Sequence, residues 1–565
     1  MPERLKTPSG EPAEAEPIPY QPEAGRFDES FVSAGRPHPQ TRAMVESLDR
    51  MGIDHLQALA ERRDAIFMQR GITFDATGPD GQTRDRPFPL DLIPRIISAA
   101  EWDFISNGVQ QRVQALNRFV ADVYGEREII RDGIVPWRLV VTRPGFARPA
   151  QGLKPPGNVW CHVSGCDLVR DSKGIWRVLE DNVRVPSGIS YVLENRIAMG
   201  RLMPELFSGY SVRPVANYPE LLLSALVAAA PTRVGHPTVV VWTPGPANSA
   251  YFEHAFLARQ MGVELVEASD LVVRDAACYL KTTDGLRRVD AIYRRVDEDF
   301  IDPLEFRPDS LLGVPGLMRA YREGNVSIAN AVGTGVADDK AVYHYVPEMI
   351  RYYLNEEPLL ANVPTWLMDD PEQREYVEGR LEQMVVKPTG ESGGKGVFIG
   401  PTATDEQIAQ QRRLLEEDPA RWIAQEVVWL SCAPTMAGGA MGPRAVDLRP
   451  FAVYGDDVQI VPGGLTRVAL EEGSMIVNSS QGGGSKDTWV LAGGPFPPSG
   501  GTGSAAHPPF EPPTMPDLPQ VGWSEQGQQQ QQEGQQQQEQ DKHLAVAQDP
   551  ERRPIDRRHV SETDR

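Results

Sequence analysis

The chain has 565 residues, 40% of them apolar, with ten tryptophans, four cysteines and a formal net charge of -21. This size and apolar content suit several packed cores, while the excess of carboxylates argues against a nucleic-acid partner, whose backbone needs dense basic charge. Four thiols are too few to staple so long a chain, no apolar run reaches the roughly 20 residues of a membrane span, and the acidic, proline-rich start lacks an apolar leader, so a soluble cytoplasmic protein without a membrane partner is expected.

Residues 1–25 read as a disordered arm. From Arg42 to Arg70 the spacing predicts a helix with Gly71 as its stop, and 72–78 a short strand and turn. Leu90 to Tyr124 reads as mostly helical, with its charged and amide groups (Glu101, Gln111, Arg112 and Asn117) on solvated surface. Cys161 and His162 with Cys166 lack the second ligand pair of a zinc site and read as buried thiols beside a histidine. The stretches 159–170 and 175–185 predict two strands joined by the turn Asp171-Ser172-Lys173-Gly174.

A strand at 236–245, a helix and a following strand suggest an open α/β domain over 235–330. DAIYRRVDEDFIDP and VSIANAVGTGVADDK each start as a strand and end in a polar or glycine-containing loop. Helix is expected around 343–360 and at 404–416, and strand–glycine loop–strand at 384–400. WIAQEVVWL reads as a strand, and 445–470 as two or three antiparallel strands. Past about 490 the composition turns to Pro, Gly, Ser and then Gln, and disorder is expected over 491–565.

Two segments carry chemistry. In DLVRDSKGIWRVLEDN, Glu180 and Asn182 fall on one strand face, Asp181 on the other, and Asp167 lies across the turn. Two carboxylates and an amide are hard oxygen ligands suited to Mg2+, although a polar strand face without a metal has the same pattern. In VVKPTGESGGKG, Lys387 ends a strand and Lys395 follows the glycine turn with Gly393 and Gly394. That suits phosphates, though it is not a Walker A sequence. Gln425 and Glu426 follow on the next strand, where an adenine edge would be read. Asp447, Arg449 and Arg467 are further candidates, Arg449 as a clamp on a transferring phosphoryl group. Asn478 to Gly484 has the composition of an active-site loop or a plain surface loop. Arg184 suits a phosphate, a substrate carboxylate or a salt bridge to the metal acids. Arg294 and Arg295 suit a substrate carboxylate or an internal network with Asp297, Asp299 and Asp302.

Taken in order, CDLVRD, WRVLEDNVRVPSG, YRRVDEDFIDP, VSIANAVGTGVADDK, VVKPTGESGGKG, DLRPF and GGLTRVA resemble the circularly permuted ATP-grasp type 2 family over about 75–490. They resemble, more distantly, the synthetase domain of glutathionylspermidine synthetase. The resemblance implies an α/β and α+β fold: a permuted ATP-grasp with an inserted, pre-ATP-grasp-like open α/β domain and disordered termini. The N-terminal helices and metal part would span 26–234, the α/β domain 235–330 and the nucleotide part 331–490. It implies ATP and Mg2+, with Asp167, Glu180 and Asn182 at the metal, Lys387 and Lys395 at the nucleotide, and Glu426 at the adenine edge. The synthetase relatives carry a catalytic arginine two residues before the metal aspartate. Here that position is Gly165, leaving Arg184, Arg294, Arg295, Arg449 or Arg467 to supply the charge. The activity implied is an ATP-dependent carboxylate–amine ligase acting through an acyl phosphate, joining a small-molecule or peptide carboxylate to an amine acceptor. A small-molecule kinase, or a catalytically weak nucleotide-binding interaction protein, is the alternative. Homo-oligomerisation is left open.

Overall fold

Several segments that carry the polar motifs mix apolar and polar positions and form strands themselves. The computed structural model describes residues 18–77, 83–231, 235–390, 396–475, 477 and 483–493. Expectations for 1–17, 391–395, 478–482 and everything from 494 on, the disordered termini included, lie outside the described residues. The strands that position the site begin with β1 (Leu90–Ile97), β2 (Val163–Arg170) and β3 (Trp176–Asn182). Next come β4 (Val239–Trp242), β5 (Glu264–Val266), β6 (Ala291–Arg294) and β7 (Ser327–Ala329). They are followed by β8 (Ala361–Asn362), β9 (Thr365–Leu367), β10 (Met384–Pro388), β11 (Phe398–Ile399) and β12 (Trp422–Glu426). The last are β13 (Arg449–Tyr454), β14 (Val458–Val468) and β15 (Gly484–Val490). The helices used below are α1 (Ala99–Tyr124), α2 (Arg138–Val141), α3 (Ile189–Leu202), α4 (Tyr251–Met261), α5 (Lys340–Tyr343), α6 (Val346–Leu354) and α7 (Asp405–Glu417).

A seven-stranded mixed sheet runs in the order β8-β3-β2-β13-β14-β15-β1, so the early strands β1 to β3 share it with the late strands β13 to β15. The four parallel strands β7-β6-β4-β5 form the sheet of the α/β domain, and β9-β12-β10-β11 form a small antiparallel sheet. On the large sheet, Leu168, Val178 and Leu448 bury against Trp102, Ile105 and Val109 of α1. In the small sheet, Met384, Val386 and Ala424 face one way, into a core with Leu381 and with Leu415 of α7. Strand alternation then turns Val385, Lys387, Ile423 and Gln425 to the other face. Ile423 meets Leu139 of α2 and Ala341 of α5 there, which seats the small sheet on the rest of the molecule.

Several sequence expectations are corrected. Leu90–Ile97 is a strand, buried at every position, and helix begins only at Ala99 behind the Ser98 cap, which accepts from Glu101 N. A short unbroken apolar run does not distinguish a buried strand from a buried helix. The expected helix from Arg42 to Arg70 breaks at Gly52, whose φ of 74° ends Arg42–Met51 and precedes Ile53–Arg70. The polar groups of α1 are not solvated. Glu101 accepts from Trp176 Nε1, Gln111 binds Glu357 O, Arg112 binds Asp181, and Asn117 holds the backbone at Asn158 and Trp160. α1 packs against α6 as well as against the sheet, so its polar residues must satisfy groups buried on two sides. From Ile18 the N-terminal segment is packed: Ile18 N donates to Asp49, and buried Tyr20 donates to Asp28. Among the described residues no helix is long and apolar enough to cross a membrane.

Candidate functional site

β2 and β3 form a hairpin because Asp171 organises its turn, accepting from Lys173 N and Ile175 N, while Gly174 adopts φ 80°. The antiparallel register sets Asp167 opposite Glu180 and Gly165 opposite Asn182. Asp181 falls on the other face, where Arg112 Nε reaches its two oxygens at 2.7 and 2.8 Å. Asn182 Nδ2 lies 3.5 Å from Glu180 Oε1, and all three proposed metal residues are buried.

Asp167 is held by two arginines, Arg449 from the adjacent strand β13 and Arg467 from β14 beyond it. Arg449 Nη2 donates at 2.8 Å and Arg467 Nη2 at 2.6 Å, both to Oδ2, and Asp447 in turn binds Arg467 Nε at 2.9 Å. Burial alone would raise the Asp167 carboxyl, but the two guanidiniums outweigh it and hold it below its ordinary value. Glu180 behaves oppositely. Burial and then the Asp167 charge push its carboxyl up, against the pull of Arg449, Lys340 and Lys387. Its Oε2 is buried without a hydrogen-bond partner.

Glu180 opens onto a pocket lined also by Asp338, Lys340, Tyr343, Lys387 and Gln425. Lys387 reaches it because odd positions of β10 face inward, and its Nζ donates to Gln425 Oε1 at 2.6 Å while Gln425 Nε2 donates to Thr365 Oγ1 at 2.9 Å. Lys340 arrives from α5, whose N-terminus is capped by Asp339 accepting from Ala341 N. Burial lowers the Lys340 ammonium, offset by Glu180 and Asp339. Sequence reasoning missed Lys340. The signal was present in VADDK, an aspartate cap placing a lysine at the first position of a helix.

The remaining candidates separate. Gln425 lines the pocket, whereas Glu426 alternates to the opposite face of β12, where its half-buried carboxyl feels Arg380 and Tyr376. Lys395, Gly393 and Gly394 lie outside the described residues. Arg184 sits 3.4 Å from both Asp297 and Asp338, beside the pocket. Arg294 is buried, donates to Val296 O at 2.8 Å and lies 3.9 Å from Glu298. Arg295 pairs with Glu253 of α4 at 3.3 Å and donates to Pro186 O at 2.8 Å. That ion pair ties it to α4, while Asp302 is used as a backbone cap, accepting from Gly316 N and Met318 N. Of the five arginines, Arg449 and Arg467 reach the metal-type carboxylates. A Cβ at Gly165 would stand 3.3 Å from Arg449 Cδ, so the Arg449 side chain covers the position that has none.

The donor set fits Mg2+ in one respect that the structure shows: an orphaned, buried Glu180 oxygen flanked by an amide and a second carboxylate. No group of three or more His, Cys, Asp or Glu placed to hold a metal occurs among the described residues.

A family model described as circularly permuted ATP-grasp type 2 matches residues 94–469. An uncharacterized protein of Synechocystis sp. is 53% identical over 468 residues, covering 83% of this chain and 97% of that one. Another, from Mycobacterium tuberculosis, is 53% identical over 470 residues, covering 82% of this chain and 84% of that one. A Frankia alni protein provisionally named glutamate--cysteine ligase 2-3 is 48% identical over 474 residues, 83% of this chain but 54% of that one, so the chain spans about half of it. Among solved structures, a glutathione synthetase-like effector of Globodera pallida in its apo form aligns with a TM-score of 0.52 and 11% identity. That match covers 78% of this chain and 97% of that one and is a likeness of fold.

Proposed function

Since the chain belongs to the circularly permuted ATP-grasp type 2 family, we propose that it is an ATP- and Mg2+-dependent ligase that joins a carboxylate to an amine. The observation that carries this reading is the single pocket in which Glu180 faces Lys340 and Lys387. A buried carboxylate supplies a metal-seeking anion, and two ammonium groups from separate elements supply charge for phosphate oxygens. In this reading Glu180 and Asn182 would hold Mg2+, and Asp167 across the hairpin would join them. Bound there, Mg2+ supplies neutralisation of phosphate charge. Lys340 and Lys387 orient the phosphate chain, and Arg449 and Arg467 oppose the charge that spreads over the transferring phosphoryl group.

The substrate carboxylate oxygen attacks the γ-phosphorus and ADP leaves, giving an acyl phosphate. The amine nitrogen then attacks the carbonyl carbon, inorganic phosphate leaves, and the nitrogen gives up a proton to leave an amide. The small sheet packed over the pocket excludes water from the acyl phosphate. The name of the Frankia alni relative makes amino acids the first substrates to try. That name belongs to a protein of which this chain matches about half.

The test is purified protein with Mg-ATP and pooled amino acids, amines and short peptides, followed by ADP release and new masses. Substrate-stimulated ADP with an amide mass supports the ligase. A stable phosphorylated product makes the protein a kinase, and ATP binding without stimulated ADP release makes it a nucleotide-binding interaction protein.

A further inference from the structure

The two pocket lysines sit on elements that one further side chain joins. Arg143 follows α2 and is largely buried. Its Nη1 donates to Thr389 Oγ1 at 3.1 Å and to Ala420 O at 2.6 Å, both in the small sheet's connections. Thr389 lies two residues beyond Lys387, and its own N–H is fixed to Arg421 O at 2.8 Å, so a hold on Thr389 is a hold on the end of the lysine strand. On its other side Arg143 Nε lies 3.9 Å from Asp339 Oδ2. Asp339 is the cap of α5 and the residue before Lys340. The adjoining Pro144 packs at Gly390, 3.7 Å from where a Cβ would stand.

One half of this bridge is complete and the other is not. The contacts to the small sheet are within hydrogen-bond range, whereas Arg143 Nε is buried without a hydrogen-bond partner and stops about an ångström short of the Asp339 carboxylate. A buried unpaired N–H beside a carboxylate is a cost that a small approach removes.

The geometry points to Arg143 as a positioning residue that clasps the Lys387 strand to the Lys340 helix, its bond to Asp339 completing as the small sheet closes on a nucleoside triphosphate. This rests on the nucleotide reading above. Phosphate bound between the two lysines draws their elements together, and that approach shortens the Arg143–Asp339 contact. The clasp and the nucleotide therefore reinforce each other without Arg143 touching phosphate.

The experiment measures Mg-ATP affinity by titration calorimetry for the full chain, Arg143→Lys, Asp339→Asn and the double variant, with melting temperatures of each without ligand. Lysine keeps the charge but lacks the fork that spans three partners, and asparagine keeps the cap acceptor. Each single variant is expected to weaken ATP binding about tenfold, with the double variant no weaker than the worse single one. A merely structural role would shift the melting temperatures and leave ATP affinity of the folded protein unchanged. Singles that bind ATP like the wild type, or losses that multiply in the double variant, overturn the clasp while the nucleotide reading stands. A wild type that binds no Mg-ATP overturns both.

Discussion

Glu180 on β3 and Lys387 on β10 line one pocket, and the lysine's charge offsets part of what burial costs the carboxylate. The pocket charge is unevenly satisfied. Asp167 is fully engaged by Arg449 and Arg467, whereas Glu180 keeps one oxygen without a partner. Glu180 is thus the residue whose environment disfavours ionisation unless another cation arrives.

Changing Glu180 to Gln tests that. The folded protein pushes this carboxyl toward its neutral form, so a neutral amide of the same shape should leave the melting temperature equal or slightly higher at pH 7. Metal-stimulated ADP release should fall by about 100-fold or more, in the range seen when one preorganised electrostatic contact is lost. A marked fall in melting temperature, or turnover within about twofold of wild type, would count against Glu180 as a ligand.

For Lys387 the effect on folding and the effect on nucleotide can be separated. Lys387→Met removes an ammonium and leaves Gln425 Oε1 without its donor in a buried setting. Stability should fall by about 1–3 kcal/mol and ATP affinity by about 10- to 100-fold. Adding Gln425→Leu removes the orphaned acceptor, so the double variant should regain stability without regaining ATP affinity. Denaturant melts and calorimetry read the two quantities. Recovery of both together would mean that Lys387 acts only through packing.

Much of this site was legible in the sequence because short-range rules fixed it. The Asp171–Gly174 turn sets the hairpin, the hairpin sets Asp167 opposite Glu180, and strand alternation sends Asp181 to Arg112. Alternation also separates Gln425, in the pocket, from Glu426 on the opposite face. What escaped depends on distant pairing. Leu90–Ile97 is a strand through its parallel register with Gly484–Val490, and nothing local announces that partner. Its Pro94 is tolerated where the ladder is irregular, on an edge strand. Lys340 was missed because its importance lies in what β3 and β10 bring to it. Arg295 suits a substrate carboxylate or an internal network in the sequence, and the distant residue it pairs with, Glu253 of α4, is set by the fold.

Glu298 gives a pH signature away from the pocket acids. It accepts from Gly333 N at 2.8 Å, and its Oε1 lies 2.5 Å from where a Cβ on Gly335 would stand. Burial raises its carboxyl from an ordinary 4.5 to about 7, with Arg294 opposing and Asp297 adding to the rise. A raised carboxyl binds its proton more tightly in the folded state. The stability it contributes is therefore complete below about 4.5 and lost as pH rises through about 7. The swing is on the order of 3 kcal/mol. Glu298→Gln removes the titration, so the stability of the wild type relative to the variant should decline between about pH 5 and 8 in urea melts. A flat difference would show that Glu298 ionises as in water, and a rising one that the fold holds its carboxyl below the ordinary value.

Two glycines give opposite outcomes for the same added methyl group. Gly145 lies just beyond Arg143, against the loop that leads to Lys340, and a Cβ there would stand 2.4 Å from Gly335 O and 3.1 Å from Val336 N. Those atoms are backbone and cannot rotate away, so Gly145→Ala must push the two segments apart at a cost of about 1–3 kcal/mol or more. Gly200 lies in α3 with nothing within 4 Å of its would-be Cβ. Gly200→Ala should therefore stabilise by up to about 1 kcal/mol, because alanine loses less backbone freedom in a helix. Because Gly145 sits between the arginine clasp and the Gly335 loop, its alanine variant should also weaken Mg-ATP binding, whereas the Gly200 variant should bind as the wild type does. Melting temperatures and titration calorimetry on the pair check both statements. Equal stabilities would mean that the Gly145–Gly335 approach is looser in solution than 2.4 Å requires.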